Sequence, residues 1–185
     1  MTFLNYQENI QGVGDIFLRD SGRYLAFVQL LDSVMTGTSE LSHAQREKIA
    51  LYVSRINHCH YCIDSHASVL NALGEKQVVG EEAVNQSIES ADPKLQVLFA
   101  FVGKLSLEPG KIARKDIEKL RQAAWSDLAI EDVIVVTSTF AFLNRLVDGI
   151  GIKGNKAHFD QVGNMIGKSG YTPLVQMIQQ KVTSS

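Results

Sequence analysis

The sequence predicts an all-α fold, and three observations predict it. Apolar residues recur at helical spacing in one segment after another. No hairpin signal or series of alternating strands breaks that pattern. The three prolines, Pro93, Pro109 and Pro173, stand where a helix begins or a loop turns. With 185 residues, 45% of them apolar, the chain is long enough for one domain with a sizeable core, expected over residues 1–185. A net charge of −2 without asymmetry between regions points away from nucleic acid and from an anionic membrane surface. The start "MTFLNYQENIQGVGD" lacks the basic residues and apolar run of a secretory signal. No apolar stretch reads as long enough to span a bilayer. Two cysteines fall short of a secreted disulfide framework. The expected location is therefore cytoplasmic, where a close cysteine pair points to catalysis or metal binding more than to structure.

The elements follow in order. The first helix is expected over about Arg23 to Met35, with Leu25, Val28, Leu31, Asp32 and Met35 at helical spacing. After the loop "TGTSELS", Ser42 stands three residues before Gln45, a capping-box pattern. That pattern opens a helix through Glu47, Ile49, Ala50, Val53 and Ile56, ending near Asn57. The next helix runs from about His58 to Leu73 and stops at Gly74. Asp92-Pro93 starts another, to about Ser106, and "LEPGK" breaks it. A helix follows from about Arg114 to Ala124. The apolar run "EDVIVVTSTFAFLNRLVDGIG" reads as one long buried helix, although Val133 to Thr139 is rich in strand-formers. "TPLVQMIQQKV" closes the chain as a short helix. Laying Glu47 on Glu131 also lays Ile49 on Val133, Ser54 on Ser138 and Asp64 on Asp148, which suggests a duplicated helical hairpin with reactive groups in the first copy alone.

The chemistry lies in "INHCHYCIDSH", which holds both cysteines and three of the five histidines. On a helix starting at His58, with ~100° per residue, Cys59, Cys62 and His66 fall within about 60° of one another and share an inward stripe with Leu70. Both sulfurs then lie in the first turn, where free backbone N–H groups and the helix dipole favour thiolate, most of all at Cys59. Such a pair closes into a disulfide with little movement, and His66, one turn below Cys62, is placed to manage a proton. If the two helices fold back near Asn57, Glu47 returns to the level of His66, both roughly 12–16 Å from the turn. A carboxylate facing an imidazole beside two sulfurs is a proton relay. Zinc is the rival: Cys59, Cys62 and His66 supply three ligands, with His58, His60 or Glu47 as a fourth, but no second ligand pair stands at a distance. Tyr61 reads as a packing residue with a wet tip, His58 and His60 as surface groups, Asn144 and Arg145 as a cap or salt bridge, and Trp125 as packing at a helix junction.

Glu47, Cys59, Cys62 and His66 together spell E-x11-C-x2-C-x3-H. With "LSHAQREKIALYVSRINHCHYCIDSHASVL" and the later "DPKLQVLFAFVGKLSLEPGKIARKDIEKLRQAAWSDLAIEDVIVV", the chain resembles the AhpD-like branch of the carboxymuconolactone decarboxylase family, in particular its peroxidase-related members. The core redox motif spans residues 42–74. The resemblance implies an AhpD-like helical bundle that assembles into trimers or hexamers. It further implies reduction of a hydroperoxide through a Cys59–Cys62 disulfide, with a thiol or dithiol reductant and no cofactor. Cys62 takes the place of the attacking cysteine, Cys59 of the resolving one, and Glu47 and His66 of the proton relay. AhpD itself has a histidine just before the second cysteine, where this chain has Tyr61, so a relay from Glu47 would reach Cys62 through water or the Tyr61 hydroxyl. The alternatives are a redox sensor whose disulfide changes assembly, and a lactone or acid enzyme of the decarboxylase type, whose members lack the cysteine pair.

Overall fold

The computed structural model describes residues 2–6, 9–75 and 92–184, and within them nine α-helices form and no strand. They are α1 (Val13–Arg19), α2 (Ser21–Thr36), α3 (His43–Ile56), α4 (His60–Ala72), α5 (Pro93–Leu107), α6 (Arg114–Gln122), α7 (Asp127–Ile150), α8 (Lys156–Ser169) and α9 (Thr172–Thr183). Seven of these correspond to expected segments; α1 and α8 were not marked by the sequence. The strand-forming run Val133 to Thr139 is helical, because its side chains are needed on one buried stripe: Val133, Val136 and Phe140 all face the core.

α3 and α4 form the hairpin on which the site is built. Ser42 caps α3, its hydroxyl accepting from the Gln45 amide at 3.1 Å while the Gln45 side chain accepts from the Ser42 amide at 2.8 Å. The far end of α3 closes in a Schellman motif: the His58 amide donates to Arg55 O and the Cys59 amide to Ser54 O, each at 3.0 Å. His58 therefore takes the left-handed conformation, φ 58°, at a cost of about 1–2 kcal/mol for a residue with a Cβ. The motif makes Cys59 the N-cap of α4, so the helix starts at His60, two residues later than expected. Asn57 donates to Asn144 Oδ1 at 2.9 Å, and Asn144 in turn donates to Ser54 Oγ at 3.0 Å. These bonds tie the turn to the middle of α7, and Asn144 is thus an inter-helix tie, not a cap.

α7 packs against α3, α5 and α2 at the centre of the molecule. Against the sequence expectation, it is long and apolar enough to cross a bilayer, by length and composition, and half of its most apolar window is buried inside the fold. It also settles the duplication. Residues 127–150, which would repeat α3, the turn and the first half of α4, form one unbroken helix, so no second hairpin turn forms there. α8 lies along α4 at close range. A Cβ at Gly163 would come within 2.7 Å of Ser68, and one at Gly167 within 2.7 Å of the Ala72 Cβ, so the two glycines are what let the helices approach. α9 packs on α2, and α1 touches both. Trp125 sits at the α6–α7 junction as expected, its indole N–H donating to Lys94 O at 3.1 Å.

Candidate functional site

The hairpin brings the four motif residues to one end of the core. Glu47 is wholly buried on α3. His66, on α4, places Nδ1 2.7 Å from Glu47 Oε2. The other carboxylate oxygen accepts from the Tyr171 hydroxyl at 3.1 Å and lies 3.3 Å from His43 Nε2. Burial alone would raise this carboxyl. The His66 charge and the hydrogen bonds from His43 and His66 outweigh it and hold the group down at about 2. Glu47 is therefore a carboxylate with three partners. Tyr171 stays a phenol, because burial and the neighbouring carboxylate push it well above its ordinary value.

The two thiols are free and face each other. The hydrogen bond between the Cys59 and Cys62 sulfurs, and then burial, push the Cys59 thiol far above the ordinary range. These effects oppose the pull of the helix dipole on Cys59. Cys59 stands at the helix start, but it is 0% exposed and shares its hydrogen bond with Cys62. Beside the sulfurs lies a cavity of about 160 Å³. Phe140, Leu143, Val147, Val162, Met165 and Leu174 are among the apolar side chains that line it, and Cys62 and His66 open onto it, whereas Cys59 does not. The His66 ring stands edge-on to Phe140, centroids 4.5 Å apart.

Tyr61 packs as expected, its ring 5.3 Å from that of Phe159, but its tip is bonded inside the protein. It is buried, and its hydroxyl accepts from the Val13 amide at 3.2 Å and lies 2.9 Å from His158 Nε2. It makes no bond to Glu47, so it does not link that carboxylate to Cys62. His58 and His60 are exposed, as read from the sequence. Three metal-ligating side chains do not converge anywhere among the described residues. Sequence reasoning missed Tyr171, His43 and His158. Only His43 carried a signal, standing four residues before Glu47 on the same helix face.

Residues 24–103 match the model of the carboxymuconolactone decarboxylase family. A comparison with curated proteins returns no match. Among solved structures, the chain is similar to an uncharacterized peroxidase-related protein from Silicibacter sp. TM1040: 29% identity over 81% of this chain and 79% of that one, TM-score 0.74. It shares its fold with an uncharacterized peroxidase-related protein, with an alkylhydroperoxidase AhpD core, from Ralstonia eutropha JMP134. The identity there is 23% over 80% of this chain and 78% of that one, TM-score 0.72.

Proposed function

We infer that this chain, whose residues 24–103 match the carboxymuconolactone decarboxylase family model and whose helical fold is AhpD-like, is a thiol-dependent peroxidase that reduces small organic hydroperoxides. One observation carries the reading. The Cys62 sulfur, hydrogen-bonded to Cys59, opens onto an apolar cavity together with His66, whose Nδ1 ends on the ionised Glu47. Glu47 holds the imidazole so that its other nitrogen takes the Cys62 thiol proton. The thiolate attacks the terminal oxygen of ROOH; the O–O bond breaks, Cys62 becomes the sulfenic acid and ROH leaves. The Cys59 thiol then displaces water to give the Cys59–Cys62 disulfide, and an external dithiol takes up the oxidation and restores both thiols. A cavity of this size suits a ligand about as large as benzene. The proposal extends to a cytoplasmic location and to a homo-oligomer, trimer or hexamer, to be measured by sedimentation.

A redox sensor is the second reading, and the complete burial of Cys59 favours it, since a disulfide there is shielded from reductants. Steady consumption of an organic hydroperoxide with dithiothreitol, lost in Cys62→Ser, supports the peroxidase. A single oxidation without turnover, with a change in sedimentation, replaces it by the sensor.

A further inference from the structure

The cavity has a second polar wall that the steps above do not use. Tyr61 and His158 line it as well as His66, on elements distant in sequence, α4 and α8. Their 2.9 Å contact is enclosed by the start of α1. A Cβ at Gly12 would lie 2.4 Å from His158 Cε1, 2.6 Å from Nε2 and 2.8 Å from the Tyr61 hydroxyl, so that wall is built around the pair. A phenol oxygen offers one donor and two acceptor positions. The Val13 amide fills one acceptor position. When His158 carries its proton on Nε2 it fills the second, and the O–H is left to turn to the cavity, where the Ser65 hydroxyl is the other polar group beside the phenol. Burial pushes the phenol up to about 12, so it stays protonated at neutral pH. The alkoxide released in peroxide cleavage has a conjugate acid about as weak as water, far weaker than a phenol, so a proton moves downhill from Tyr61 to it.

Resting on the peroxidase reading, we infer that Tyr61 is the acid that protonates the leaving alkoxide and that His158 resupplies it. The thiolate of Cys62 takes the terminal OH of ROOH, the O–O electron pair goes to RO⁻, and the Tyr61 proton makes ROH. The tyrosinate is refilled from His158 Nε2–H while the half-exposed ring takes a proton from water at Nδ1. Burial lowers the His158 imidazole, and the Asp15 carboxylate at the start of α1 opposes that effect. The other charge-bearing neighbour of Tyr61 is Cys62 itself. Reduction is thus divided between two walls: the proton of the thiol leaves through His66, and the proton of the alcohol arrives through Tyr61.

The test uses two oxidants with different leaving groups, tert-butyl hydroperoxide and peracetic acid. The carboxylate released by the peracid, pKa about 4, needs no proton to leave. Rates of Cys62 oxidation are measured by rapid mixing in the wild type, Tyr61→Phe and His158→Gln, with iodoacetamide alkylation of Cys62 as a control for the thiol environment. The expected result for Tyr61→Phe is a loss on the order of 100-fold with the alkyl hydroperoxide and within about threefold with the peracid, at unchanged alkylation. His158→Gln, at a half-exposed position, shows the same selectivity with a smaller loss and decides the matter if the Tyr61 variant does not fold. Equal losses with both oxidants, or none with either, overturn the assignment. A wild type that reduces neither oxidant overturns the peroxidase reading beneath it.

Discussion

The two polar walls of the cavity have opposite electrostatics. On one side, His66 rests on a wholly buried carboxylate with three partners. On the other, Tyr61 rests on a half-exposed imidazole, and the nearest carboxylate, Asp15, is engaged with the Gln11 and Gly12 amides. A carboxylate behind an imidazole makes it a proton acceptor; a neutral imidazole behind a phenol leaves the phenol a donor. The difference teaches that a single apolar chamber can carry both kinds of group while its carboxylates stay engaged: Glu47 stands behind His66, and Asp15, which lines the chamber, is tied to backbone amides.

Removing the proposed nucleophile has the largest expected effect. Cys62→Ser abolishes hydroperoxide turnover by at least ~10³-fold, read as peroxide consumption with dithiothreitol. Cys59→Ser leaves one oxidation of Cys62 per chain and no further cycles. On the charged wall, Glu47→Gln keeps the shape but removes the charge, and the rate of Cys62 oxidation falls by on the order of 100-fold. Glu47→Ala leaves His66 and Tyr171 without their buried acceptor and costs about 3 kcal/mol in urea unfolding.

The same carboxylate sets a pH dependence. Its folded value of about 2 lies below its ordinary value of 4.5. Its stabilising contribution is therefore complete above 4.5 and is lost as pH falls through 2. Urea midpoints measured downward from pH 5 should decline in the wild type and decline less in Glu47→Gln; parallel declines would show that the carboxylate is not held down. On the neutral wall, Gly12→Ala puts a methyl group against His158 and Tyr61. Its backbone, φ −161°, accepts any residue, so only crowding acts. The expected outcome is about 1 kcal/mol of stability and a roughly tenfold loss of rate confined to alkyl hydroperoxides. Least of all, His43→Gln, which loses a 3.3 Å contact at a partly exposed site, should change the rate by no more than about threefold.

The charged wall was legible in the sequence and the neutral one was not, for physical reasons. Glu47, Cys59, Cys62 and His66 sit on two amphipathic helices with a sound cap at Ser42 and a closing turn at Asn57, so their spacing translates directly into geometry. His158 sits on α8, where Gly163 and Gly167 take positions that would otherwise carry apolar side chains. Their absence lets α8 approach α4, but it also weakens the periodic signal by which a helix is read. Asn155 was the one available marker of that helix, its side chain accepting from the His158 amide at 3.0 Å. Tyr171 reaches Glu47 across 124 positions of sequence, and no local pattern announces such a contact.

The central claim is that the two sulfurs act as one couple, and counting thiols tests it most directly. Unfolded protein is titrated for free thiol before and after one equivalent of tert-butyl hydroperoxide, with intact mass measured alongside. The account predicts that both Cys59 and Cys62 disappear together, that one alcohol forms per chain, and that the chain becomes lighter by two hydrogen atoms. Two thiols remaining, or Cys62 oxidised while Cys59 still titrates, would contradict it.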